Sequence, residues 1–179
     1  HETPTDEIDR HIDINVKGLI LGSQLIAKHM VKRGSGHIIN IASLAGIAPI
    51  PGIALYSTSK FAVRGFSLAL AQELQPHGVK VTVICPDAIQ TPMLDLQESY
   101  DEAALTFSGP KTLTVEDIES AVFSVAIPQA PLEIMLPWHR GALAKTGNAF
   151  PAASFLLANT LSKKGKKVQQ KRRDQRRQS

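Results

Sequence analysis

His37-Ile38-Ile39-Asn40-Ile41 and Val79-Lys80-Val81-Thr82-Val83-Ile84-Cys85 are the two runs that decide the fold class of this chain. Both are short, rich in β-branched residues and nearly continuous in apolar character, the pattern of strands covered on both faces. Pro86 closes the second run, since proline has no N–H to give to a ladder. A helix is predicted between them, from about Ala54 to Gln75, with Pro76-His77-Gly78 as its stop. The loop holding Gly46, Pro49, Pro51 and Gly52 joins the first strand to that helix. Two strands separated by a helix imply a parallel crossover.

Working outward, Ile8, Ile12, Val16, Leu19, Ile20, Ile26 and Met30 recur at helical spacing, which predicts a helix over about 7–32. Thr5 or Asp6 is its expected cap, and Gly34-Ser35-Gly36 breaks it. Downstream, residues 87–113 read as loop, with a short helix near Asp95–Ala104. Thr114 and Asp117 mark the start of a third helix, which runs to about Ile127. Leu132–Leu136 is the last strand. Helices and strands alternate throughout, so the fold class is α/β with a doubly wound parallel sheet.

The 179 residues suit one domain. The net charge of +4 is unevenly placed: Lys163–Arg177 holds nine basic residues and one acid, while the rest holds 11 basic and 15 acidic residues. The body is therefore mildly acidic, which argues against a uniformly basic nucleic-acid-binding domain. The single cysteine, Cys85, excludes a disulfide framework and a cysteine-rich metal site. It reads as a small buried hydrophobe. The six histidines lack metal-ligand spacing, so no metal is expected. No apolar run reaches the roughly 18–20 residues a membrane span needs, and no secretory leader is visible, so the expected location is cytoplasmic. Gly18 and Gly22 read as close helix packing. Gly65-Phe66-Ser67-Leu68-Ala69 lies mid-helix and lacks a final glycine, which excludes a hydrolase nucleophile elbow.

The residues that carry chemistry are Ser43 and the run Tyr56-Ser57-Thr58-Ser59-Lys60. Tyr56 and Lys60, four residues apart at the start of a helix, share one face. A tyrosine with a pKa of about 10 is a poor acid–base catalyst at neutral pH. A nearby ammonium favours the phenolate and lowers that value. Such a tyrosine can give a proton to a carbonyl being reduced or take one from an alcohol being oxidised. Ser43 leaves a strand at its carboxyl end, where α/β sheets bind ligands, and its hydroxyl can bond the reacting oxygen. Taken alone, each of these residues also fits an ordinary surface or turn role.

Ser43, Tyr56 and Lys60 at this spacing, with Asn15 in Asn15-Val16-Lys17-Gly18, Ile39-Asn40-Ile41-Ala42-Ser43 and Thr91 five residues after Pro86, resemble the classical short-chain dehydrogenase/reductase family. The resemblance runs from about Asn15 to Met93 and more weakly to Leu136. It implies a Rossmann-like fold of which this chain holds only the later strands, and NAD or NADP as cofactor. It implies that Tyr56 is the acid/base, that Lys60 lowers its pKa and bonds the nicotinamide ribose, that Ser43 orients the substrate oxygen and that Asn15 holds a relay water. Ile89 and Thr91 would meet the carboxamide. Helices 7–32 and 54–75 would form the contacts of a homodimer or tetramer. Two departures stand out. Asp87 occupies a position where the family usually has glycine. None of the twelve glycines forms the Gly-rich turn that meets the pyrophosphate, so the N-terminal cofactor-binding half is expected to be missing.

Three regions are expected: the C-terminal part of a Rossmann domain at 1–137, an extension with a short amphipathic helix at 138–162, and a disordered basic tail at 163–179. The amphipathic helix would use Phe155, Leu156, Leu157 and Leu161. The expected function is NAD(P)-dependent interconversion of an alcohol and a carbonyl. Leu44, Ile47, Ile50, Met93 and Leu94 flank the site and suggest an apolar substrate. The alternative is a catalytically silent module whose tail contacts a partner or an anionic membrane surface.

Overall fold

The computed structural model describes residues 2–178, and the backbone alone of residues 153, 156, 157, 177 and 178. Three parallel strands form the sheet in the order β1 (Gly36–Ile41), β2 (Val79–Pro86), β3 (Glu133–Leu136). Gly36 to Ile41 pairs in register with Val79 to Ile84, and Val83 to Pro86 pairs with Glu133 to Leu136. The helices are α1 (Thr5–Ile12), α2 (Gly18–Arg33), α3 (Ala54–Leu74), α4 (Pro92–Gln97), α5 (Val115–Ala121), α6 (Ile127–Gln129), α7 (Trp138–Ala149) and α8 (Pro151–Gln178). The predicted strands and the 54–75 helix therefore stand within a residue or two of their expected bounds.

Alternation along β2 builds the two-sided core. Val79 and Val81 pack with Ala27, Ala71 and Leu74, and Val83 and Cys85 pack with Val63 and Leu44, all on the face covered by α2 and α3. Ile84 points the other way, against Ala121, Ala126 and Ile134. α3 approaches the sheet through a stripe of small buried residues. One of them, Ser67, accepts a bond from the buried Asn40 amide at 2.9 Å. Burial pushes the Cys85 thiol up to about 12, so the residue is the packed, protonated group its position suggested. Glu133 ties three elements together, pairing with Arg64 of α3 at 2.6 Å and with Lys145 of α7. Burial pushes its carboxyl up, but the two cations outweigh burial and hold it below the usual carboxylate range.

Several expectations are corrected. α1 begins after Pro4, and neither Thr5 nor Asp6 caps it. The 7–32 helix is interrupted by a π-helical stretch, Asp13–Lys17. The 87–113 region is more ordered than a loop: α4 is followed by a 3-10 helix, Asp101–Ser108, and Ile89 bridges to Leu113. Thr114 is the N-cap its position suggested, and it forms a capping box with Asp117.

The largest correction concerns the tail. The 162/163 boundary falls inside the 28-residue helix α8, and the basic residues are helical there. The helix is held because one face meets acids presented by the 92–108 segment. Arg173 pairs with Asp101 at 2.8 Å, Arg176 with Glu98 at 3.1 Å, and Arg172 with Glu98. Lys163, Lys164, Lys166, Lys167 and Lys171 remain exposed. Phe155 and Leu161 belong to α8 as well, while the side chains of Leu156 and Leu157 lie outside those described. No helix among the described residues is long and apolar enough to cross a membrane.

Candidate active site

The carboxyl ends of β1 and β2, at Ile41 and Pro86, open into one cavity of about 410 Å³. Ser43, Tyr56, Lys60, Ile89 and Thr91 all line it. Ser43 follows β1 in an extended conformation and caps the 3-10 turn Leu44–Gly46, accepting from the Ala45 N–H at 3.1 Å. Gly46 lets that turn lie against α3, because a Cβ there would run into the Lys60 carbonyl. This close approach brings the Ser43 hydroxyl near the Tyr56 phenol, whose proton affinity it lowers. The Ser43 hydroxyl also reaches the Pro86 carbonyl at the end of β2, 3.4 Å away.

Burial, rather than Lys60, dominates the proton affinity of Tyr56. It pushes the phenol above its ordinary value, and the Ser43 hydroxyl offsets it only in part. Lys60 Nζ stands 5.6 Å from the centre of the Tyr56 ring and donates to the Ile41 carbonyl at 3.4 Å. The ammonium thus faces the ring and the end of β1 instead of the hydroxyl. Its own pKa is lowered by desolvation, with the Cys85 thiol opposing.

Asn15 does not line the main cavity. It sits in the π-helical stretch and donates to the His11 carbonyl at 3.1 Å. A π-bulge is a frequent mark of functional positions in helices. Asn15 shares a second, shallower cavity with Ile41 and Lys60, so Lys60 spans both openings. The same stretch is tied to the active-site helix, since His11 bonds Ser59 at 3.1 Å and Ser59 donates to the Tyr56 carbonyl at 2.8 Å.

The loop after β2 is fixed by its own bonds. Thr91 stands at the first position before α4 without capping it, and its hydroxyl donates to the Ile89 carbonyl at 3.3 Å. Gln90 and Leu113 exchange bonds with the neighbouring segment through Leu113 O and Ala88 O. Asp87, the residue that departs from the family pattern, turns its carboxylate to Arg140 of α7, 2.5 Å away. Burial raises the Asp87 carboxyl and Arg140 opposes that shift. Arg140 also reaches Ser108 at 3.3 Å. Both members of this pair line the cavity, and neither the pair nor the α8 side chains that wall it were found in the sequence. Asp87 was visible as an oddity, but its partner was not.

These features make a ligand site at the carboxyl end of an α/β sheet, and the comparisons with known proteins show the family. The short chain dehydrogenase family model matches residues 1–101. The chain belongs to the short-chain dehydrogenase/reductase family. It is 33% identical over 130 residues to 2-(R)-hydroxypropyl-CoM dehydrogenase of Xanthobacter autotrophicus, covering 70% of this chain and 52% of the relative. It is 36% identical over 112 residues to cyclopentanol dehydrogenase of Comamonas testosteroni, covering 63% of this chain and 45% of the relative. Among solved structures, ElxO with NADP bound superposes with a TM-score of 0.65 at 26% identity, over 75% of this chain and 58% of that one. Acetoin dehydrogenase from Enterobacter cloacae gives a TM-score of 0.61 at 29% identity, over 75% of this chain and 55% of that one. The chain spans about half the length of these relatives.

Proposed function

We propose that the protein interconverts an alcohol and a carbonyl, using NAD or NADP. The observation that carries this reading is the convergence of Ser43, Tyr56 and Lys60 on one cavity at the carboxyl end of the sheet. The donor set suits the nicotinamide end of a dinucleotide: Lys60 offers an ammonium for ribose hydroxyls, and Thr91 with the backbone at Ile89 offers polar groups for a carboxamide. When bound, the dinucleotide supplies or accepts the hydride.

The chain's own groups handle the oxygen and its proton. In reduction, the Ser43 hydroxyl donates to the carbonyl oxygen, and Tyr56 gives its phenolic proton to that oxygen as the carbon gains hydride. Burial keeps Tyr56 protonated at neutral pH, the state this direction needs. In oxidation, the phenolate takes the hydroxyl proton, and the Lys60 charge favours the phenolate over the cavity's apolar background. Asn15, beside the Lys60 cavity, is placed to hold a water that re-protonates Tyr56 through the Lys60 side.

The full-length protein, mixed with NADH or NADPH and a panel of ketones, should consume the reduced cofactor, followed by its ultraviolet absorbance. Firm cofactor binding without turnover of any ketone or alcohol would favour the silent-module alternative. Homo-oligomer formation through the π-helical stretch and α2 is supported by the exposed apolar residues Ile14, Leu21 and Leu25. Light scattering that gives a monomer would count against that assembly.

A further inference from the structure

The helix α8 does two things at once. Its first half walls the cavity with Phe155, Ala158 and Leu161. Its second half grips a segment that supplies a further part of the wall, where Met93, Leu94 and Leu105 stand. Gln169 is the centre of that grip. It is 2% exposed and directs its amide N–H groups at the carbonyls of Gln97, Glu98 and Tyr100, at 3.1, 3.1 and 2.8 Å. These carbonyls lie at and just beyond the end of α4, where a helix leaves acceptors unpaired. Arg172 adds a bond to Gln90 at 2.7 Å and lies over the Phe107 ring at 5.8 Å. Gly165 brings the helix onto the Ala104 carbonyl, and any Cβ at that position would strike it.

The cavity between these walls is largely apolar. Its one buried ion pair, Asp87–Arg140, is neutralised within itself and makes no demand for a charged substrate. We propose that α8 is the specificity element of the site: docked through Gly165, Gln169 and the arginines, it holds the 92–108 segment closed and selects alcohols and ketones with a bulky apolar skeleton through Ala158 and Leu161. The inference rests on the oxidoreductase reading above and names the substrate class and the residues that set it. Apolar area removed from water by this wall supplies the preference. The wall's size limits it, because one methylene too many in a closed apolar pocket costs about tenfold or more in kcat/KM.

The test compares menthone with acetone in the full-length protein. Wild type should prefer menthone. Ala158→Phe, which fills the cavity from the α8 side, should lower the menthone-to-acetone ratio of kcat/KM by about tenfold or more. Ala158→Leu gives the smaller step if the phenylalanine variant does not fold. Gln169→Ala, which leaves the cavity lining unchanged, should raise the menthone KM more than the acetone KM and speed amide hydrogen exchange across 97–104. Unchanged selectivity in the Ala158 variants, with wild type active, overturns the role of α8 and leaves the oxidoreductase reading standing. Wild type that turns over neither ketone overturns both.

Discussion

Tyr56→Phe should abolish nearly all turnover, lowering kcat by about 10²–10⁴-fold in both directions, the usual worth of a positioned acid–base group. The reason is local. The Tyr56 side chain shares the cavity with Ser43, and phenylalanine keeps the ring against Lys60 while removing the only proton Tyr56 can move. Dinucleotide affinity should change little, and so should the thermal midpoint, since the ring and its packing remain. Measuring kcat, cofactor Kd and Tm on the same preparation separates a chemical loss from a structural one. A variant keeping a tenth of the wild-type rate would remove Tyr56 from the acid–base role.

The second large effect is on stability. Glu98 is 3% exposed and receives both Arg172 and Arg176. Removing its carboxylate by Glu98→Ala takes the buried acceptor from two guanidinium groups at the α4–α8 junction, which keep Asp95 and, for Arg172, Gln90. Arg176 is half-exposed and recovers much of its hydration, whereas Arg172 is 23% exposed and recovers less. The expected cost is about 2–3 kcal/mol, at the lower end for a broken buried pair because of that partial exposure. For a chain of this size the midpoint should fall by roughly 4–12 °C. Hydrogen exchange should show the loss concentrated in α8 and in residues 92–108. A uniform loss across the sheet would mean that α8 is not held by this pair.

The parts of the fold that were legible in the sequence are those fixed by local pattern. The strands at 36–41 and 79–86 announce themselves because β-branched residues run without interruption and are punctuated by glycine and proline. Ser43, Tyr56 and Lys60 were legible for a different reason. A strand end and an i, i+4 helical pair are geometries that spacing alone specifies. α8 was not legible because its sequence is polar, and a polar helix owes its stability to partners distant in the chain. Gly165, Gln169, Arg172 and Arg176 fall on one helical face, but their acceptors on 92–108 sit in a region whose own pattern reads as loop. Among the described side chains, the membrane-surface reading of the basic residues now rests on Lys163, Lys164, Lys166, Lys167 and Lys171, since the arginines at 172, 173 and 176 are engaged within the protein. The Asp87–Arg140 pair escaped for the same reason: neither residue predicts the other until β2 and β3 place them side by side.

The claim beneath all of this is that hydride passes between a nicotinamide and a carbonyl carbon beside Tyr56. Full-length protein supplied with nicotinamide cofactor carrying deuterium at its transferable C4 position, and with an apolar ketone, tests it most directly. The alcohol product should carry that deuterium on the carbinol carbon, seen by mass spectrometry, and Tyr56→Phe should make almost none. Alcohol formed without the label, or no alcohol from protein that binds the cofactor firmly, would contradict the account.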